Sequence, residues 1–212
     1  MVFVPVAINY DRVLEDRTLL RRLDASAPRR GFAYALTRTA GFAAGQLWLM
    51  LTGRWHRFGY ACVNFGRPVS MREWAARDGV DFRALDDDAR HREVERFAGG
   101  LMDAIARIVP VLPVSVVATV FLHRREGGLS EIELKSAAYD LVLRLERAGA
   151  RIYVPRGDLD YAFAVGLRML VLRRVIIERE GVYFPNDDDG ALLAYYANSI
   201  APLLDGAGGQ AA

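Results

Sequence analysis

The sequence opens with an apolar run, Met1 to Ile8, and this run limits the possible folds more than any other segment does. It is rich in β-branched residues and lacks polar alternation, a pattern typical of a strand buried on both faces, as in a parallel sheet. A strand of this kind needs a neighbour on each side. We therefore expect either that later strands pair with it or that preceding elements have been lost. Truncation is the simpler interpretation.

The composition excludes several classes of protein. The chain has 212 residues, of which 52% are apolar and 25% are charged, as in an ordinary folded protein. This length suits one large domain or two modest ones. The net charge of +2 is too small to predict nucleic-acid binding, so we expect no nucleic-acid partner. The single cysteine, Cys62, excludes an internal disulfide and a cysteine-rich metal site, and fits a reducing, cytoplasmic setting.

Neither of the two longest apolar stretches is long enough to span a bilayer. They cover Ala40 to Gly53 and Ile108 to Leu122, whereas a spanning helix needs about twenty apolar residues. Both are predicted to be buried or interfacial helices. The helix predicted from Phe32 to Leu51 has flanking arginines that suit a helix lying at anionic headgroups. They also suit a helix packed on the sheet, which is the interpretation that we favour.

The first part of the chain is predicted to mix strands and short helices, in residues 1–77. Its predicted elements are the opening strand, one or two short helices within Tyr10 to Leu23, a break at 25–31, the helix from Phe32 to Leu51, a strand within Phe58 to Gly66, and a short helix begun by a capping box at Ser70 and Glu73. The charged stretch that begins at Asp78 predicts a domain boundary. We therefore predict an α/β domain in residues 1–77.

The second part, residues 78–205, is predicted to be a mainly helical domain with one short hairpin, followed by a disordered tail at 206–212. Its predicted elements are helices from Val94 to Val109, Val114 to His123, Ser130 to Ala148 and Asp158 to Leu172, a hairpin within Arg174 to Pro185 that turns near Gly181, and a last helix that follows Asp187 to Asp189. Ser130 and Glu133 have the spacing of a second capping box.

The residues give no catalytic centre and no metal site. The three histidines are His56, His91 and His123, and none has an aspartate five positions later or lies in a His-Glu-x-x-His pattern. His91 is predicted to be solvated, and His123 to end a helix. The aspartate runs at 86–88 and 187–189 are predicted to cap helices or to be solvated, because three consecutive side chains point in different directions. We expect no cofactor.

Three segments, taken in order, resemble the bacterial glycerol-3-phosphate acyltransferase family. Val4-Pro-Val-Ala-Ile-Asn-Tyr-Asp-Arg-Val13 is similar to the fourth conserved block of that family. Tyr60-Ala-Cys-Val-Asn-Phe-Gly-Arg-Pro-Val-Ser70 is similar to the strand that follows this block, and Leu193-Ala-Tyr-Tyr-Ala-Asn-Ser-Ile200 resembles the family's C-terminal helix. Each match is modest, but together they span nearly the whole chain.

The resemblance implies acyl transfer from acyl-CoA or acyl-carrier-protein to the sn-1 hydroxyl of glycerol 3-phosphate, in phospholipid biosynthesis, by a peripheral protein at the cytoplasmic face of the inner membrane. In the family, a His-x-x-x-x-Asp block supplies the base and its orienter, and arginines hold the phosphate. Those blocks precede the segment matched here, so we expect this chain alone to be inactive. From the fourth block, Val4, Pro5, Val6 and Tyr10 are expected to line the substrate cleft. A purely structural role for Pro5, ending or kinking a strand, is equally open.

Two other functions are compatible with the sequence. The segment between Val114 and Pro185 is predicted to contain a helix, a turn, a capped helix and a hairpin, an order that resembles a winged-helix DNA-binding module. The capped helix, however, carries both acidic and basic residues, which does not suit a helix that enters the major groove. The chain also fits a non-catalytic fragment that docks to a membrane or to another protein.

Overall fold

The computed structural model describes residues 1–13, 15–23, 41, 48, 51, 59–124 and 127–208. The chain divides into two compact units, residues 1–11 with 60–212, and residues 12–59. In the smaller unit, α1 (Asp16–Leu23) confirms the short helix predicted before residue 24. The break predicted at 25–31 lies outside the described residues, as does nearly all of the helix predicted from Phe32 to Leu51.

Short antiparallel strands begin the larger unit. β1 (Val2–Phe3) pairs with β4 (Val69–Ser70), and β2 (Val6–Tyr10) pairs with β3 (Ala61–Phe65). Pro5 lies between β1 and β2, and its carbonyl accepts a hydrogen bond of 2.8 Å from the Gly66 N–H. The β2–β3 pair is called the ribbon below.

The prediction of one opening strand buried on both faces, in a parallel sheet, is wrong. The run is divided at Pro5, its pairing is antiparallel, and buried and exposed residues alternate along β2. The physical reason is that apolar residues occur on both faces of β2, whereas only one of the two faces is covered by other described residues. A continuous apolar run does not reveal which case applies.

Two helices follow the ribbon. α2 (Met71–Asp78) begins where the Ser70 hydroxyl accepts the Glu73 N–H at 3.3 Å, as its capping spacing predicts. α3 (Asp87–Ala106) begins seven residues earlier than Val94, because the Asp86 carboxylate accepts the Ala89 N–H at 2.7 Å. The first aspartate run therefore caps a helix. The predicted domain boundary at 77–78 coincides with the end of α2 and stays a prediction.

The C-terminal part has the order helix, strand, helix, helix, strand, strand. The elements are α4 (Pro113–His123), β5 (Leu129–Ser130), α5 (Glu131–Arg147), α6 (Leu159–Leu172), β6 (Ile176–Arg179) and β7 (Val182–Pro185). The strands form an antiparallel sheet in the order β5–β7–β6. This order agrees with the helix, capped helix and hairpin predicted from the sequence. The capping box at Ser130 and the hairpin turn at Gly181 are both confirmed.

The last predicted helix is two helices. α7 (Gly190–Asn198) and α8 (Ala201–Gly208) are separated at residues 199–200. α8 includes residues 206–208 of the predicted tail, and residues 209–212 lie outside the described part. The mixture of helices and strands agrees with the α/β class. The arrangement of an acyltransferase α/β domain remains a prediction.

The core is built around α4, in which every residue from Pro113 to Phe121 is buried. A helix that is apolar on all sides must be covered on all sides. The largest side chains buried around it come from α5, α6, β6, α7 and the α7–α8 junction: Leu134, Leu141, Leu145, Phe163, Leu170, Ile176, Leu192, Leu193 and Ile200. Among the described residues, none of the helices combines the length and the apolarity that crossing a bilayer requires.

Candidate functional site

The outward face of the ribbon is apolar and exposed. Successive side chains of a strand point to opposite faces, so Val6, Ile8 and Tyr10 of β2 lie beside Val63 and Phe65 of β3. Ile8 is 51% exposed and Phe65 is 63% exposed. Soluble proteins rarely leave a contiguous apolar patch of this kind uncovered unless it binds something. The outward face is therefore the first candidate for a binding surface.

The inward face of the ribbon carries polar side chains that bind the segment leading into α4. The Asn9 side-chain N–H donates to the Pro110 carbonyl at 2.8 Å, and the Asn64 side-chain N–H donates to the Ile108 carbonyl at 2.9 Å. These bonds join residues that are 101 and 44 positions apart in the sequence. They fix the ribbon against the start of α4.

Asp11 caps α4 from a distance. One carboxylate oxygen accepts the Val114 N–H at 3.2 Å, and the other accepts the Tyr60 N–H at 3.1 Å. The residue at the N-cap position, Leu112, has no side chain that can accept a hydrogen bond from the first turn. A carboxylate at a helix N-terminus stabilises the unpaired N–H groups and the positive end of the dipole. Asp11 thus joins β2, β3 and α4 with one side chain.

Burial controls the acid–base properties of this junction. Burial raises the pKa of Asp11 to about 6, and the hydrogen bonds from Tyr60 and Val114 offset only part of this increase. Burial also raises the pKa of the neighbouring Cys62 thiol, and the charge of Asp11 raises it further. A carboxyl group that titrates near pH 6 therefore lies at the point where the ribbon meets the helical core.

The three segments that carry the family resemblance meet at this junction. The Asn9 side chain lies 3.4 Å from the Ser199 hydroxyl, which in turn lies 2.8 Å from the Ser115 hydroxyl. Asn9 belongs to the first segment, Asn64 to the second and Ser199 to the third. Segments far apart in the sequence are thus held together around the N-terminus of α4.

The predicted cleft residues are divided between the two faces. Val6 and Tyr10 lie on the outward face, and Val4, just before β2, is also exposed. Pro5 is buried and contacts the turn at Gly66, where an added Cβ would lie 3.2 Å from the Pro5 Cβ. The structure therefore separates Pro5 from the outward face. Whether the four residues bind substrate stays a prediction.

Sequence reasoning missed Asn9, Asp11 and Asn64. The available signal was the period of the strand, because Ala7, Asn9 and Asp11 share one face and two of them are polar in an apolar run. A polar residue on the covered face of a strand must find a hydrogen-bond partner in the fold. The sequence does not say that the partners lie between 44 and 103 residues later.

The histidines show no arrangement for proton transfer in the described residues. His91 is exposed, with Nδ1 2.7 Å from the Asp87 carbonyl, and His123 ends α4, with Nδ1 2.8 Å from the Thr119 carbonyl. Both positions confirm the sequence interpretation, and His56 lies outside the described residues. Within the described ranges, no group of three His, Cys, Asp or Glu side chains is placed to hold a metal ion.

Curated relatives match nearly the whole chain. The glycerol-3-phosphate acyltransferase of Pseudomonas syringae pv. syringae (strain B728a) is 27% identical over 221 residues, covering 96% of this chain and 24% of the relative. The enzyme of the same name from Ectopseudomonas mendocina (strain ymp) is 27% identical over 219 residues with the same coverage. The chain therefore spans about a quarter of the length of these relatives.

The family model for the glycerol-3-phosphate acyltransferase C-terminal region matches residues 46–204. This match includes β3, the segment leading into α4 and every helix of the core. The chain belongs to the family of the glycerol-3-phosphate acyltransferase C-terminal region.

Proposed function

We propose that this chain forms part of the acyl-binding wall of a glycerol-3-phosphate acyltransferase and does not supply the reacting groups. The observation that carries this proposal is the outward face of the ribbon, where exposed apolar side chains stand on a backbone fixed from behind by Asn9, Asp11 and Asn64. A fixed apolar surface suits a hydrocarbon chain or its thioester, because burying apolar area is favourable and needs no directional contact.

Val4, Val6 and Tyr10 contribute to this wall directly in the proposal. Pro5, being buried, contributes by ending β1 and setting the start of β2. The substrates are the family's: an acyl thioester of coenzyme A or acyl-carrier-protein, and glycerol 3-phosphate. The site of action is the cytoplasmic face of the inner membrane, where the acylated product enters the bilayer.

The chain does not catalyse the transfer alone in this proposal. Transfer to a hydroxyl requires a base that takes the hydroxyl proton and a group that orients that base. The printed sequence has no histidine followed five residues later by aspartate. The described histidines bind helix carbonyls through Nδ1 and have no carboxylate orienter. The base must therefore come from another part of the enzyme.

DNA binding is a second candidate, because the α4–β7 topology is that of a winged-helix module. In a helix-turn-helix the second helix enters the major groove. With α5 and α6 as the pair, that helix is α6 and not the capped helix α5 that the sequence analysis considered. The exposed face of α6 carries Asp160, Ala164, Arg168 and Leu172. This face has one cation, one anion and two apolar side chains, so it carries no net positive charge. It would therefore not neutralise the phosphates of DNA. The topology is shared with DNA-binding modules, but the chemistry of the surface favours the acyltransferase proposal.

Binding of a long-chain acyl-CoA thioether, which cannot transfer its acyl group, tests the proposed wall. We expect the double variant Val6→Ser, Ile8→Ser to weaken binding by about thirtyfold, because each of the two side chains that leave an apolar contact costs about 1 kcal/mol. Fluorescence titration of the purified chain with a labelled thioether below its micelle concentration gives the dissociation constant.

The matched control is Ile132→Ser, on α5, where the isoleucine side chain is 81% exposed and lies outside the ribbon. It should leave binding unchanged. Equal effects of the ribbon and control variants would show that the ligand adsorbs to any exposed apolar side chain. Unchanged binding in the ribbon variant would show that this face does not contact the acyl chain.

A further inference from the structure

The outer edge of β3, which faces away from β2, carries backbone groups that can pair with another strand. At the two ends of the ribbon, the Gly66 N–H donates to the Pro5 carbonyl and the Asp11 N–H donates to the Tyr60 carbonyl. Because hydrogen-bonded pairs alternate along an antiparallel ladder, the N–H and C=O groups of every second residue point away from the paired strand. In β3 these residues are Ala61, Val63 and Phe65. In the part of the chain that the structure describes, no strand pairs with this edge.

β3 lacks the features that protect exposed strand edges in most proteins. Protected edges usually carry a charged side chain, a proline or a bulge, and each of these discourages a second strand from pairing. β3 has the sequence Ala-Cys-Val-Asn-Phe, and its pairing with β2 is continuous from end to end. The side chains of Ala61, Val63 and Phe65 are all exposed. The edge therefore suits pairing with another strand.

The outer edge of β2 is less suited to pairing than that of β3. By the same alternation, its outward backbone groups belong to Val6, Ile8 and Tyr10. The Tyr10 N–H already donates to the side-chain oxygen of Asn9 at 2.9 Å. This bond leaves Val6 and Ile8 as the residues that offer both an N–H and a C=O. β3 offers three such residues, so a new strand would form the longer ladder on β3.

We propose that β3 pairs with β3 of a second copy of this chain, in an antiparallel arrangement with a two-fold axis at Val63. In this register Val63 lies opposite Val63 of the second copy, and Ala61 lies opposite Phe65. The small alanine side chain leaves room for the phenylalanine ring, so the edge is complementary in size to itself. Each opposed pair exchanges two backbone hydrogen bonds. Arg67, the first charged residue after β3, lies opposite Gly59 and so does not face a like charge.

The pairing forms one sheet in the order β2–β3–β3–β2, with the outward faces of both ribbons on the same side. Edge pairing leaves these faces uncovered, so the dimer does not depend on the proposed acyl-binding function and is compatible with it. An edge of five residues buries less area than the roughly 1,200 Å² of a stable interface. The dimer is therefore weak and dissociates on dilution.

Sedimentation velocity of the purified chain over a range of concentrations measures the dimer, and two charge variants test its register. Val63→Lys and Val63→Glu each place two like charges at the two-fold axis. Each variant alone should raise the dissociation constant of the dimer by about tenfold or more. A mixture of the two variants should dimerise again, because opposite charges then meet at the axis. A variant that failed to fold could not be restored in this way.

The matched control is Ile8→Lys, which places a charge on the same outward face, beside Val63, but on β2 and away from the outer edge of β3. It should dimerise like the wild type. Weaker dimers in both Val63 variants, recovery in their mixture and an unchanged control together support the proposal. A wild type that stays monomeric at the highest concentration, an equal loss in Ile8→Lys, or a mixture that does not recover would overturn it.

Discussion

Replacing Asp11 with asparagine is expected to remove a pH dependence of about 3 kcal/mol from the free energy of unfolding. The carboxyl group is 1% exposed, and its pKa rises from 3.8 in the unfolded chain to about 6 in the folded protein. The folded state therefore holds its proton to higher pH than the unfolded state does. This contribution to stability is complete below pH 3.8 and is lost as the pH rises through about 6.

Urea unfolding at pH 4 and at pH 7.5, for the wild type and for Asp11→Asn, measures this effect. The other titrating groups are common to both proteins, so they cancel in the difference between them. Relative to the variant, the wild type should lose about 2.5 kcal/mol between the two pH values, because at pH 4 the carboxyl group of the unfolded chain is already partly ionised. If the free energies of unfolding of the wild type and the variant differ by the same amount at both pH values, Asp11 is not buried between the ribbon and α4.

Gly166→Ala is expected to lower the free energy of unfolding by about 1–3 kcal/mol, the usual cost of overpacking. Gly166 lies inside α6, where a Cβ would come within 2.7 Å of the Pro113 carbonyl oxygen and 2.8 Å of its carbon. These are backbone atoms in the first turn of α4, so they cannot move aside as the end of a side chain can. The strain would reach the turn that Asp11 caps.

The matched control is Gly100→Ala, inside α3, where a Cβ would meet no atom within 4 Å. Here the substitution should raise the free energy of unfolding by about 0.5–1 kcal/mol, because alanine loses less backbone entropy than glycine does in a helix. Chemical denaturation of both variants measures whether each substitution raises or lowers the free energy of unfolding. A stabilising Gly166→Ala would show that α6 does not approach the start of α4 closely.

The local chemistry of the helical part was readable from the sequence. Ser130 with Glu133, Asp158 before α6, and Gly181 in the hairpin each act through neighbours within a few residues, so spacing alone predicts them. The buried helix α4 was predictable because it is apolar on every side. Each of these features is determined by residues within one short segment of the sequence.

The ribbon was predicted less well, because its properties depend on distant residues. The apolar run at the start gave no sign of antiparallel pairing with residues 61–65. The hydrogen bonds of Asn9 and Asp11 reach residues 101 and 103 positions away, and no local pattern encodes such a partner. Likewise, the three-stranded sheet depends on the pairing of β5 with β7, which two residues at 129–130 hardly signal. The family resemblance identified the three segments that meet at the start of α4, but it did not predict the hydrogen bonds that hold them together.

An acyl-transfer assay tests most directly the claim that this chain carries the wall of an acyltransferase without its reacting groups. The purified 212-residue chain would be incubated with a radiolabelled long-chain acyl-CoA and glycerol 3-phosphate. The full-length Pseudomonas syringae relative would serve as the positive control under the same conditions. We expect no lysophosphatidate above background from the chain, while the relative forms it. Formation of lysophosphatidate by the chain alone would contradict the claim and would require a base within these residues.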